Sequence, residues 1–261
     1  MRVKRAVLWL LAVVVSVAVT LLVFLPATWM AAVVERQTGG RITLGDAEGS
    51  LWNGSAFIGA APGKGSPVTP LLPGRFVWRL SPLVLLGMLD LRLDNAEALT
   101  QPVQLSGSWS SWSLTPAALR LPAEGLSGLG APLNTLAPSG AMQLGWSTLQ
   151  LARTADRRSV DIGGKTTLTM MDMSSRLSAL RPIGSYEMVM DWHGQEAQLT
   201  LRSIKGPLLL DGTGGLKNGR FRFSGHAQAA QGYEETLASL LNLLGQRRMV
   251  NGKNIIALEF R

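Results

Sequence analysis

Beyond residue 40 the side chains alternate in character with a period of two, and that period commits most of the chain to half-buried β-strands. In Ser185-Tyr186-Glu187-Met188-Val189-Met190-Asp191-Trp192, one face carries Tyr, Met, Met and Trp while the other carries Ser, Glu, Val and Asp. The same alternation runs through Leu89–Asp94, Met142–Trp146, Gln198–Arg202, Arg220–Phe223 and Ile256–Phe260. Between these runs stand Asn53-Gly54, Gly163-Gly164, His193-Gly194, Asp211-Gly212 and Asn218-Gly219, dipeptides suited to tight turns. Hairpin connections and a largely antiparallel, multi-stranded sheet follow, so the predicted fold class is mainly β.

Two stretches depart from that period. Pro82-Leu83-Val84-Leu85-Leu86-Gly87-Met88 is apolar without alternation, and Tyr233–Leu244 carries leucines at 237, 240, 241, 243 and 244 in a helical stripe. The second predicts a short C-terminal amphipathic helix packed on the sheet, ended by Gly245 and followed by Gln246-Arg247-Arg248. Pro62-Gly63-Lys64-Gly65-Ser66-Pro67 has the composition of a mobile loop.

The N terminus obeys a different rule. Ala6 to Leu25 is apolar except for Ser16 and Thr20, and it follows Met1-Arg2-Val3-Lys4-Arg5. Twenty residues at about 1.5 Å each span roughly 30 Å, the thickness of a bilayer's hydrocarbon core. A single membrane helix is expected, with Arg2, Lys4 and Arg5 orienting the short stub to the cytoplasm and everything after Leu25 on the far side. A cleaved secretory signal also starts basic and then apolar, but its apolar core is about 7–15 residues and ends at small residues. Here the run continues to Pro26 and meets Trp29 and Met30, and Trp29 suits a membrane interface. Thr28 to Gln37 reads as an amphipathic turn or two with Glu35, Arg36 and Gln37 outward, stopped by Gly39-Gly40.

Composition excludes several functions. Cysteine is absent, which removes disulfides and thiolate metal sites, so the domain must be held by its own core. The net charge is +8, yet the cations outside the N-terminal flank stand singly or in pairs and no Lys/Arg block resembles a nucleic-acid patch, so no nucleic acid is expected as a partner. Gly164-Lys165-Thr166 resembles the tail of a phosphate-binding loop, but Ser159 stands where its first glycine belongs, and a hairpin turn is the better reading. Gly212-Thr213-Gly214 has Lys217 in place of a dinucleotide motif's third glycine. His193 and His226 have no second imidazole at ligand spacing, and no nucleophile elbow or acid–base carboxylate pair is present. Catalytic activity, a cofactor, a metal and a small-molecule substrate are therefore not expected.

Several fragments together resemble the type II secretion system protein N family. They are Leu25-Pro26-Ala27 closing the apolar run, Gly40–Leu44, Asp46-Ala47, Gly49–Ala56, Phe76–Leu80, Leu129–Gly140 through Trp146, Gly206–Gly212 and Phe223-Ser224-Gly225. The resemblance spans nearly the whole chain and rests on the order and spacing of these fragments. It implies a non-catalytic inner-membrane component of the machine that exports folded proteins from the periplasm through the outer membrane. The expected organisation is then a cytoplasmic stub over 1–5, a transmembrane helix over 6–25, a juxtamembrane segment over 26–40 and a periplasmic β-rich domain over 41–261. Expected partners are other type II secretion system proteins and membrane lipid, met through strand edges or apolar patches. Trp52, Trp109 and Trp112 are candidate contact aromatics, although burial in a core is the ordinary fate of tryptophan.

A one-sided sheet behind an anchor also looks like the envelope proteins similar to the AsmA group, in which a curved sheet forms an open apolar groove for lipid chains. The methionines at 170, 171, 173, 188 and 190 suit such a groove, and they suit an ordinary core equally. A groove leaves the apolar face of successive strands open, whereas a sandwich covers it with a second sheet. The alternation alone is the same in both.

Overall fold

A computed structural model describes residues 9, 13, 16, 20, 24–60, 68–123, 137–154, 159–217, 219–250 and 253–260. Arg2, Lys4, Arg5 and nearly all of the expected membrane span lie outside the described residues, as do the loop at 61–67 and most of the fragment at 129–140. Among the described residues no helix is long and apolar enough to cross a membrane.

Helix α1 (Thr28–Gln37) occupies the segment expected to be amphipathic, and Gly39 and Gly40 follow it at φ +63° and +81°, conformations that only glycine adopts freely. Then come β1 (Ile42–Gly49), β2 (Asn53–Ala60), β3 (Thr69–Pro70), β4 (Phe76–Leu80), a 3-10 turn (Pro82–Leu86), β5 (Met88–Asp94), β6 (Val103–Ser108), β7 (Ser111–Leu114), β8 (Ala117–Pro122), β9 (Ser139–Trp146) and β10 (Leu149–Arg153). The second half holds β11 (Val160–Ser174), β12 (Gly184–Gly194), β13 (Glu196–Lys205), β14 (Leu208–Lys217), β15 (Arg220–Ala229), helix α2 (Glu234–Leu244), β16 (Gln246–Val250) and β17 (Lys253–Phe260).

Among the described residues all 17 strands belong to one sheet. Every pairing is antiparallel, and the ladder runs from β1 through β2, β4, β5, β6, β7, β10, β11, β12, β13, β14 and β15 to β17 and β16. Strands β7 and β8 are two halves of one stave interrupted at Thr115-Pro116. They pair with β10 and β9, which are likewise interrupted at Ser147-Thr148. The 15 residues of β11 run alongside both β9 and β10, and no second sheet covers the first among the described residues.

Alternation places one apolar row on the same face of successive strands. Across the centre it passes through Leu144, Leu168, Met188, Leu201, Gly212 and Gly225, each opposite the next in register. At one end of this face α2 lies on the sheet, burying Leu237, Leu240 and Leu241 against Tyr186, Leu199, Leu208, Phe223 and Ile256. Fully burying a leucine contributes about 1.5–3 kcal/mol, which is why this short helix holds its place without a side-chain N-cap. A second cluster forms where Leu72 and Leu99 fold over Phe76, Val103 and Ala117, and a third where Ala27 and Met30 meet Ala56 and Trp78.

The glycine dipeptides divide into two uses. His193-Gly194 and Gly219 form the β12–β13 and β14–β15 turns, with Gly194 at φ +69° and Gly219 at φ +71°. Asn53-Gly54, Gly163-Gly164 and Asp211-Gly212 lie inside β2, β11 and β14 instead. The physical reason is close approach. A Cβ on Gly54 would run into the Trp78 ring, and one on Gly212 would stand 2.6 Å from Phe223 Cζ. At Gly164 (φ +122°) a Cβ would meet the Thr148 carbonyl oxygen at 2.8 Å, at the kink between β9 and β10. Gly245 ends α2 as expected, but in an extended conformation (φ 171°), and Gln246 to Arg248 start β16 directly.

Edge strand β1 contains a bulge between Gly45 and Glu48, where Asp46 takes φ +50°. Arg75 closes over it, donating to the Asp46 carbonyl oxygen at 2.9 Å and pairing with the Asp46 carboxylate, while its guanidinium lies 4.7 Å from the Phe57 ring. The internal ladder has a matching irregularity at Asp172 (φ +49°), whose N–H donates to the buried Ser185 hydroxyl at 2.9 Å.

Leu240→Ala is expected to lower stability by about 2–5 kcal/mol through the cavity left under α2, as read from urea unfolding of the full chain in detergent followed by tryptophan fluorescence. Tyr186 gives a pH-dependent test. Its hydroxyl donates to the Leu208 carbonyl at 3.0 Å, and burial raises the phenol's pKa well above the ordinary tyrosine value. The unfolded phenol ionises above about pH 10 while the folded one stays protonated, so stability is full below that pH and declines above it. Tyr186→Phe should cost about 1–3 kcal/mol at neutral pH by stranding the Leu208 carbonyl, and should flatten the alkaline decline.

Candidate functional site

The surfaces of this molecule differ more in polarity than in shape. Strand alternation sends Glu187, Arg202, Lys165, Asp191, Asp211 and His226 to the polar face, where they form cross-strand pairs. Arg202 meets Glu187 at 2.6 Å, Lys165 meets Asp191 at 3.2 Å, and His226 Nε2 stands 3.1 Å from Asp211. Lys205 hydrogen-bonds Asp172 at 2.9 Å and holds that carboxyl below its usual range. Exposed pairs of this kind contribute little to stability and instead keep the face solvated.

The apolar face is unevenly sheltered. Beneath α2 its residues are buried, whereas toward the opposite ends of the strands Leu89, Trp112, Leu151, Ile162, Trp192 and Leu216 are only half-buried. Trp192 keeps its indole N–H satisfied by donating to the Thr166 hydroxyl at 3.1 Å. Around the β12–β13 and β14–β15 turns His193, Glu196, Gln198, Lys217, Arg220 and Arg222 line a half-open cleft of about 820 Å³. Lys217 pairs with Glu196 there at 3.5 Å. Among the described residues no group of three His, Cys, Asp or Glu is placed to hold a metal ion.

The three candidate tryptophans part company. Trp52, 8% exposed, belongs to the interior beside the β1–β2 turn. Trp112 stands half-buried on the apolar face with the Arg153 guanidinium 5.6 Å from its ring. Trp109 is 61% exposed at the β6–β7 turn, and its indole lies over Gly87, where an added Cβ would sit 2.6 Å from both Cδ1 and Nε1. The tryptophans are thus not brought together into one surface.

Alternation alone missed what Trp109 does join. The 3-10 turn Pro82–Leu86 is held at its start by Ser81, whose hydroxyl accepts from Leu83 N–H, and at its end by Gly87 at φ +92°. None of its residues is buried, and Leu86 is 78% exposed. The signal available in the sequence was an apolar run of non-alternating residues behind a Ser-Pro start, a pattern that fits neither a strand nor the covered stripe of a helix.

A single antiparallel sheet with one polar and one incompletely covered apolar face defines a β scaffold whose assets are faces, edges and turn ends. The family model for type II secretion system (T2SS), protein N matches residues 40–254, and the chain belongs to that family. It is therefore a type II secretion system component, and its family membership implies contact with other components of that system. No curated protein and no solved structure matches the chain.

If the half-buried end of the apolar face closes on itself through contacts around Trp192, Trp192→Ala should lower stability by about 3–5 kcal/mol, as a buried aromatic does. Its half-exposed position predicts a loss below that range, measured by the same urea titration.

Proposed function

We propose that this protein is a non-catalytic inner-membrane member of the type II secretion system, held by one N-terminal helix with its sheet domain in the periplasm. The observation that carries the reading is the family match over residues 40–254, which covers the sheet from β1 into its last hairpin. The basic and apolar N terminus supports the placement, since Arg2, Lys4 and Arg5 precede a run long enough to span a bilayer. The sheet supports export by contact: an open strand edge at β16, and an apolar face that a partner can finish covering.

The groove reading, in which the apolar face holds lipid chains as in proteins similar to the AsmA group, has no supporting match. The half-buried row through Trp112 and Trp192 is the feature that would serve it.

Photo-crosslinkers at Trp112 on the apolar face and at Val77, 45% exposed on the polar face, test the assignment in intact cells. Recovery of another secretion component from either position is the expected result. Recovery of phospholipid alone at Trp112 would favour the groove. Protease added to spheroplasts should digest the sheet domain, and its survival there would overturn the placement.

A further inference from the structure

The apolar N-terminal run meets the sheet at a defined place. Leu51 N–H donates to the Leu25 carbonyl at 2.7 Å, Ala27 N–H donates to the Gly49 carbonyl at 3.1 Å, and Pro26 bridges to Ser50. The exit point of that run is therefore fixed to the β1–β2 turn. One strand further, Leu80 N–H donates to the Trp52 carbonyl at 2.7 Å and Ser81 N–H to the Asp90 carbonyl at 2.9 Å, and the chain passes straight into the Pro82–Leu86 turn. In an antiparallel ladder alternate turns share one end of the sheet, so this end also carries the β6–β7 turn with Trp109.

That end is apolar and uncovered. Leu83 is 47% exposed, Leu85 53%, Leu86 78%, Met88 52% and Trp109 61%. Their positions are rigid, since the serine cap and the left-handed Gly87 fix the turn and the Trp109 indole closes over Gly87. Contiguous exposed apolar groups on a fixed frame mark a surface that something covers. The coverer is indicated by the neighbouring N-terminal segment: its last apolar residue, Leu25, is hydrogen-bonded to this end, so a bilayer that receives residues 6–25 lies against the same turns. A tryptophan beside leucines is the composition of a membrane interface.

We propose that the Pro82–Met88 turn and Trp109 insert into the interfacial layer of the bilayer that holds the N-terminal segment, so that this end of the sheet rests on lipid. The ligand is a phospholipid surface. The inference takes from the proposed function only the membrane span, and it adds a second contact that fixes the orientation of the sheet above the membrane.

The absence of cysteine from the chain makes the test direct. The full chain carrying Leu86→Cys, Thr213→Cys or Val13→Cys is labelled with an environment-sensitive fluorophore and reconstituted into phosphatidylethanolamine–phosphatidylglycerol vesicles, with and without lipid bearing a nitroxide near the headgroup. The Leu86→Cys label should shift to the blue and lose most of its fluorescence to the nitroxide, while the Thr213→Cys label on the polar face stays unquenched. Adding Leu83→Asn and Leu85→Asn should abolish the quenching at position 86 without altering the far-UV circular dichroism. An unquenched Leu86→Cys label beside a Val13→Cys label shielded from aqueous iodide overturns this inference and leaves the membrane span standing. Iodide access at Val13→Cys together with quenching at Leu86→Cys does the opposite: the surface contact stands and the span falls. Crosslinking of position 86 in cells to a secretion protein, without lipid quenching in vesicles, also overturns the inference, because the turn is then a protein contact.

Discussion

The structure depends on how one continuous antiparallel ladder shelters its apolar face without a partner sheet. Period-two alternation puts most of the large apolar groups of the strands on the same side, and in a sandwich a second sheet would cover them. Here the cover is piecemeal: α2 over the end near Tyr186 and Leu208, the Leu72 and Leu99 segments over Phe76, and α1 beside Trp78. Each cover buries only the residues beneath it. The exposed remainder of the apolar face follows from that geometry rather than from any local weakness of the strands.

Glycine is the second device that the ladder needs. Aromatic side chains wider than the spacing between neighbouring Cβ positions would force strands apart, so they sit opposite glycines. Trp78 lies over Gly54 and Phe223 over Gly212. These pairs let large rings lie flat on the sheet and keep the backbone hydrogen bonds continuous.

This second use of glycine explains what was legible in the sequence and what was not. The strands were readable because alternation is a local signal, and β5, β9, β12, β13, β15 and β17 each contain the run that announced them. Helix α2 was readable for the same reason, with Leu237, Leu240 and Leu241 on its buried stripe. Asn53-Gly54, Gly163-Gly164 and Asp211-Gly212 read as turns, since sequence does not distinguish a glycine that bends the chain from one that makes room for a ring or a backbone carbonyl on a neighbouring segment. Trp52 and Trp109 were equivalent as letters. Their different fates, one interior and one over Gly87, are set by tertiary contacts beyond any local window. The family resemblance was carried by fragments in order, and the match over residues 40–254 rests on the same region.

The bulge at Asp46 bears on which way the ladder can be extended. A strand joining β1 from outside would need an unbroken file of backbone donors and acceptors, but the left-handed residue interrupts that file, and Arg75 already engages its carbonyl oxygen. Self-association of two copies through this border is thereby disfavoured. The sheet has one blunted border and one plain one, at β16, and so has a built-in polarity for recruiting strands.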